Sequence, residues 1–377
     1  MVSRSYFKTG RGRALVIDLR WSLVAAVLAL LLAGALGAYG PGASGTRAPA
    51  GTGTGIANAA VAQAQASLAT GSPAWHRVMS TVVPPRAGAE VLVYDAADHY
   101  VLMFGGRDKW TPFNAPFIGG TWSFANGTWT LLQPTTAPTA RGDAAAAYDA
   151  SDGYVVLFGG LRQGGGPMGG GSLYDTWTFH AGQWTQLKPG VHPGVDEQSA
   201  MAYDPAIQRV IMYGGTTAGG NQTWMFHAGR WTLLHPSTSP PGLRLAKLTY
   251  YAPASELLLY GGCSGGGCVP VYNATWAFAH GTWTQLRPLQ NPGPRFWYAM
   301  AYDPSLHSVV LFGGSNRTSL QSDTWLFTSG NWSLFCAHCG PSARYIPVST
   351  YDPSANAVVL YGGSAAGGFS NQTWEFR

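Results

Sequence analysis

The sequence predicts an all-β protein in which six like sheets are set around one axis. Three observations point there. A unit of roughly fifty residues recurs six times. Glycine and tryptophan are abundant (51 and 15 of 377 residues), while charged side chains make up only 10%. Each unit carries four short stretches of strand-forming residues separated by turn residues. Helical bundles and coiled coils need charged wet faces, so this composition excludes them. An aromatic content of 13% supplies a large core and excludes disorder over most of the chain.

The unit opens with R-x-x-x-x-x-x-Y-D, and its six tyrosines are read as Tyr94, Tyr148, Tyr203, Tyr251, Tyr302 and Tyr351. An apolar run follows, such as VVLF at 155–158 and 309–312. Its β-branched and aromatic residues suit a strand buried on both faces. The run ends in a Gly-Gly pair beginning at Gly105, Gly159, Gly214, Gly261, Gly313 and Gly362. Glycine lets the strand stop where a side chain would clash and permits positive φ. After a variable loop comes T-W-x-F, with Trp122, Trp177, Trp224, Trp276, Trp325 and Trp374. Its Trp and Phe stand two apart and so share one face of a strand. A short turn, such as Ala181-Gly182 or Ala228-Gly229, leads to a fourth strand carrying Trp129, Trp184, Trp231, Trp283 or Trp332. The unit is therefore a four-stranded meander. Its two faces are buried by stacking copies in a ring, which predicts a six-bladed β-propeller.

These motifs resemble the kelch repeat, and the resemblance covers nearly all of residues 72–377. The Tyr-Asp-Pro turns at 203–205, 302–304 and 351–353 resemble the exported bacterial and archaeal kelch type. The resemblance also implies a fold related to the propeller domain of galactose oxidase.

The sixth unit reaches Arg377 before a second Trp occurs, and a lone Trp75 stands ahead of the first unit. Residues 75 to about 83 are therefore expected to supply the missing outer strand. Pairing with the last strand of the chain would close the ring and hide two sheet edges.

The formal net charge of +5 comes from the N-terminus; from residue 72 onward 16 basic side chains face 16 acidic ones. That balance, with no basic run in the folded part, argues against a nucleic-acid partner. Residues 1–20 are basic, and residues 21–38 read WSLVAAVLALLLAGALGA without a charge. Residues 21–39 are thus expected to be a single-pass transmembrane signal anchor or a cleaved signal peptide. A basic flank ahead of the helix places the propeller on the extracytoplasmic side of the cell membrane, or secreted if cleavage occurs. Residues 40–71, rich in Gly, Ala and Thr, read as a stalk, and residues 72–377 form the propeller, expected to be a monomer.

The loops after Gly-Gly and between units should gather at one end of the ring, where binding usually sits. In the first of them Trp110, Phe113 and Phe117 are candidates to stack on a sugar or pack on a protein. The starts of the inner strands read Arg86, Arg141, Asp196, Arg244, Arg295 and Arg344, positions expected to encircle the channel mouth. Two readings stand side by side. Guanidiniums there would grip an anionic or carboxylate-bearing ligand, as the kelch resemblance also implies. Alternatively they hold blades together through backbone carbonyls. Cys263, Cys268, Cys336 and Cys339 form two close pairs, read as local disulfides outside the cytoplasm, with a zinc thiolate site or a redox pair as alternatives. The sequons at Asn126, Asn221, Asn273, Asn316, Asn331 and Asn371 follow the repeat in several cases, so they arise with the fold.

Two functions compete. A protein- or carbohydrate-binding module with no cofactor fits the loop-rich end, and a structural surface protein is its bland form. The galactose oxidase likeness suggests an extracellular oxidoreductase, with copper held by Tyr and His and a Tyr–Cys crosslink. Against it, the tyrosines are repeat positions, the cysteines come in pairs, and His180, His227 and His280 fall at hairpin turns on the opposite end. The residues favour the binder.

Overall fold

The computed structural model describes residues 72–108, 117–164, 170–194, 197–216, 220–265 and 267–377. The expected membrane helix, the stalk and the candidates Trp110, Phe113 and Asp196 lie outside the described residues. Among the described residues no helix is long and apolar enough to cross a membrane.

The described residues form six antiparallel four-stranded sheets. Blade one runs Val91–Asp95, Tyr100–Phe104, Thr121–Ala125 and Thr128–Leu132. Blade two runs Ala145–Asp149, Tyr154–Phe158, Thr176–His180 and Gln183–Leu187. Blade three comprises Ser199–Asp204, Arg209–Gly214, Thr223–His227 and Arg230–Leu234. Blade four comprises Lys247–Tyr251, Glu256–Tyr260, Thr275–Ala279 and Thr282–Leu286. Blade five uses Ala299–Asp303, Ser308–Phe312, Thr324–Thr328 and Asn331–Cys336. Blade six takes Val348–Asp352, Ala357–Tyr361 and Thr373–Phe376 from the end of the chain. On its outer edge Trp75–Val78 pairs with Thr373–Phe376, Trp75 opposite Phe376. Backbone bonds between Ala74 and Arg377 (2.8 and 3.2 Å) extend that ladder. Each inner strand packs on the next, and blade six packs on blade one. The fold is an all-β six-bladed propeller.

The second strand of each blade is the most deeply buried element. Val155, Val156, Leu157, Leu257, Leu258, Leu259 and Tyr260 are fully enclosed, because these strands have a neighbouring blade on either face. The outer-strand tryptophans tie blades together. The ring of Trp184 packs on Phe179 of its own blade and on Phe104 of blade one, with centroids 4.9 and 5.1 Å away. Its Nε1 donates to Oγ1 of Thr121 in blade one. The same donation to the T-W threonine of the preceding blade is made by Trp75, Trp129, Trp231, Trp283 and Trp332, at 2.8–3.0 Å. The threonine of T-W-x-F is thus an acceptor for the next blade.

The Gly-Gly corner is equally specific. Gly105 has φ +81°, and a Cβ there would sit 2.4 Å from the carbonyl of Arg141 in the next blade. The nitrogen of the second glycine donates to that carbonyl at 2.7 Å.

One tyrosine is reassigned. In blade four Tyr250, not Tyr251, holds the repeat position, because Tyr251 pairs with Glu256 as Asp303 pairs with Ser308. The repeat aspartates Asp95, Asp149, Asp204, Asp303 and Asp352 cap the following turn by accepting from backbone nitrogens. Tyr251 replaces that cap; its blade turns through a 3-10 segment at Ala252–Ala254, and its hydroxyl accepts from Ser329 N in blade five.

Candidate binding site at the loop end of the channel

Six residues immediately ahead of the inner strands carry positive φ: Ala89, Asp143, Gln198, Leu245, Trp297 and Ile346, between 52° and 66°. Five neighbour-to-neighbour bonds connect them: Asp143 N to Ala89 O, Gln198 N to Asp143 O, Leu245 N to Gln198 O, Ile346 N to Trp297 O, and a longer 3.4 Å bond from Ala89 N to Ile346 O. These backbones form a collar around the channel. The left-handed conformation costs a residue with a Cβ about 1–2 kcal/mol, and the bonds between blades hold it in place. Five of the preceding residues bridge to the segment just beyond Gly-Gly, as in Gly88 with Arg107 and Arg244 with Cys263.

This register decides where the expected arginines stand. The carbonyl that meets the Gly-Gly corner belongs to Arg141, Arg295 and Arg344, but to Ala87 and Leu243 in blades one and four. Arg86 and Arg244 are one residue out of step, so the arginines do not form a single ring. Arg86 is exposed. Arg141, Arg295 and Arg344 are buried inside their blades. Each donates to the carbonyl of the first corner glycine, Gly159, Gly313 or Gly362. Arg141 grips Asp175 with two bonds of 2.6 and 2.8 Å, and Arg295 grips Asp323 likewise. Arg344 meets the neutral Gln372 in the same place. Burial alone would raise the Asp175 and Asp323 carboxyls, but the hydrogen bonds and charge of their arginines hold both below the ordinary range. Burial lowers Arg344, which lacks an anion, to about 10. These side chains are committed to the blade.

Arg244 and Phe117 do reach the mouth. The Arg107 guanidinium lies 5.3 Å over the Phe117 ring and forms an ion pair with Asp143. Arg244 donates to Gly265 O at 3.0 Å. Between the two arginines stands Glu197; burial pushes its carboxyl upward, and the charges of Arg107 and Arg244 pull it back. Trp297 and Tyr345 complete the rim, rings 5.5 Å apart. Further out Tyr174 is 54% exposed and stacks on His192. Sequence reasoning missed Arg107, Glu197, Trp297, Tyr345 and Tyr174. Arg107 directly follows Gly-Gly, and Trp297 is a tryptophan that the repeat does not use, so both left a signal.

The four cysteines are joined as Cys263–Cys268 and Cys336–Cys339. Neither pair offers a thiolate for zinc or for a Tyr–Cys crosslink. Among the described residues no three His, Cys, Asp or Glu side chains are grouped to hold a metal.

A ring of six four-stranded sheets closed around one channel defines the protein as a six-bladed β-propeller. No family model matches the sequence, and no curated protein matches it. Among solved structures it is similar to the propeller YjhT, with a TM-score of 0.58 and 15% identity over 78% of this chain and 94% of that one. That likeness concerns the fold alone.

Proposed function

We propose that the protein is an exported, membrane-tethered propeller that binds carbohydrate at its loop end. One observation carries the reading: the mouth gathers Arg107, Glu197 and Arg244 beside the rings of Phe117, Trp297 and Tyr345. Planar charged groups of both signs suit a ligand rich in hydroxyls, which both donates and accepts. Aromatic rings supply flat apolar contact at low entropic cost. Mixed charge makes this a poor trap for a simple anion, unlike the ring of five arginines and one aspartate expected from sequence. The N-terminal sequence supports export, and two disulfides fit an oxidising compartment. The kelch type of the repeat is part of this reading.

The test is a glycan array and a peptide array probed with the purified chain and with Arg244→Ala. Binding to a glycan class that Arg244→Ala weakens tenfold or more, at unchanged melting temperature, supports the proposal. Signals on peptides alone turn it into a protein-binding surface, and silence on both arrays favours a structural role.

A further inference from the structure

Inside the collar the channel widens into a cavity of about 370 Å³ lined by the inner strands of all six blades. That volume suits a small molecule. Its walls are built largely of short side chains, with alanines at 145, 147, 200, 202, 299 and 301, and are as polar as they are apolar; half-buried tyrosines stand at the far rim. Besides Ser199, Thr249 and Thr350, three further polar side chains stand in this lining. Glu90 of blade one is 5% exposed, and neither carboxylate oxygen has a hydrogen-bond partner. A Cβ on Gly106 would meet Glu90 Cγ at 2.6 Å, so that glycine makes room for the side chain. Lys247 belongs to blade four, three blades away and therefore across the axis; it feels the charge of Glu90, yet no salt bridge joins them among the described residues. Ser349 of blade six adds a buried hydroxyl oxygen without a partner.

An orphaned buried carboxylate is costly and persists where something compensates it. A carboxyl and an amine on two walls of one cavity, with no salt bridge between them, match a ligand whose own charges are separated. We propose that the channel is a binding site for a small zwitterion of the amino-acid class, its ammonium group on Glu90 and Ser349 and its carboxylate on Lys247. A simple amine would leave Lys247 uncompensated, and a simple carboxylate would leave Glu90 so. This site is separate from the loop-end mouth, and neither proposal requires the other.

Burial pushes the Glu90 carboxyl up to about 8 despite its own nearby backbone N–H and the opposing charges of Lys247 and Arg107, and burial lowers Lys247. Tyr361 is the other titrating group facing it. Pairing with an ammonium would ionise Glu90 and release its proton near neutral pH.

The experiment is titration calorimetry of the intact chain with glycine, β-alanine, 4-aminobutanoate and 6-aminohexanoate, against butylamine and butanoate as single-charge controls. At least one amino acid should bind with Kd below about 1 mM and ten times more tightly than either control. Glu90→Gln and Lys247→Gln should each weaken it tenfold or more. Should a variant not fold, the parent still decides, because an amino acid must bind ten times more tightly than either single-charge control. No binding up to about 10 mM, equal binding of butanoate or butylamine, or undiminished binding by folded Glu90→Gln overturns the proposal.

Discussion

The indole nitrogen of Trp129 donates to Oγ1 of Thr373 at 2.8 Å, joining side chains 244 residues apart. It is one of six equivalent bonds, each reaching from an outer strand to the third strand of the blade before it. Both partners are buried, so removing the acceptor strands an indole N–H in the interior. Such an orphan costs about 1–3 kcal/mol, whereas a made bond contributes about 1. Thr121→Val should therefore destabilise the propeller by about 1–3 kcal/mol in denaturant unfolding. Adding Trp184→Phe removes the stranded donor, so the double variant should lose less than the sum of the singles. Strict additivity would show that the bond is incidental to stability.

Arg141 and Asp175 present a different bond in the same architecture, a bidentate pair with the guanidinium buried. Removing one partner leaves an uncompensated charge, at a cost of about 3–5 kcal/mol. Asp175 is partly exposed, 21%, which lowers that expectation to about 2–4 kcal/mol. Arg141→Ala should therefore lower the melting temperature clearly while leaving loop-end ligand binding intact in the protein that stays folded. Arg344→Ala leaves only a neutral Gln372 behind and should cost less. Loss of affinity at an unchanged melting temperature in Arg141→Ala would return this residue to the ligand site.

The repeat was legible because its signals are backbone requirements met by particular residues: glycine at the corner, Thr and Trp on the third strand, Trp on the fourth. The mouth was legible only in part. Arginines were aligned by residue type, but the position is defined by which carbonyl meets the glycine corner, and that carbonyl belongs to Ala87 and Leu243 in two blades. Segments of varying length ahead of the inner strands hide the one-residue shift. The collar left no trace, since residues as unlike as Ala89, Trp297 and Ile346 adopt one left-handed conformation. Bonds between blades impose it, against local preference. Glu90 and Lys247 are brought to one cavity by ring topology, which no local pattern encodes.

Glu90 also sets a sign for stability against pH. Its folded pKa, about 8, lies above the ordinary 4.5. The folded state therefore holds this proton more tightly than the unfolded chain. The contribution is fully present below about 4.5 and fades as pH rises towards 8, at a limit of about 1.4 kcal/mol per unit. Asp175 and Asp323 act oppositely: their depressed values contribute above the ordinary carboxylate range and are lost as pH falls below it. The denaturation midpoint of the parent should fall between pH 5 and pH 8, and Glu90→Gln should remove most of that fall by removing the titrating group. An equally steep profile in Glu90→Gln would assign the slope to other buried carboxyls.

Trp75 is the outer-strand tryptophan of a blade whose other three strands come from the far end of the chain. Its ring packs on Phe312 of blade five and Phe376 of blade six, and its Nε1 donates to Thr324. Removing residues 72–79 would take away that packing and leave the backbone of Thr373–Phe376 as an open edge. Unpaired edges template association with other chains. The truncated chain should melt earlier and form concentration-dependent oligomers in light scattering. Trp75→Ala, which keeps the strand, should lose about 3–5 kcal/mol of stability but remain monomeric. The two variants thus separate the tryptophan's packing from the strand's shielding of the edge. A truncated chain that stays monomeric and melts like the parent would deny the N-terminal strand any part in closing the ring.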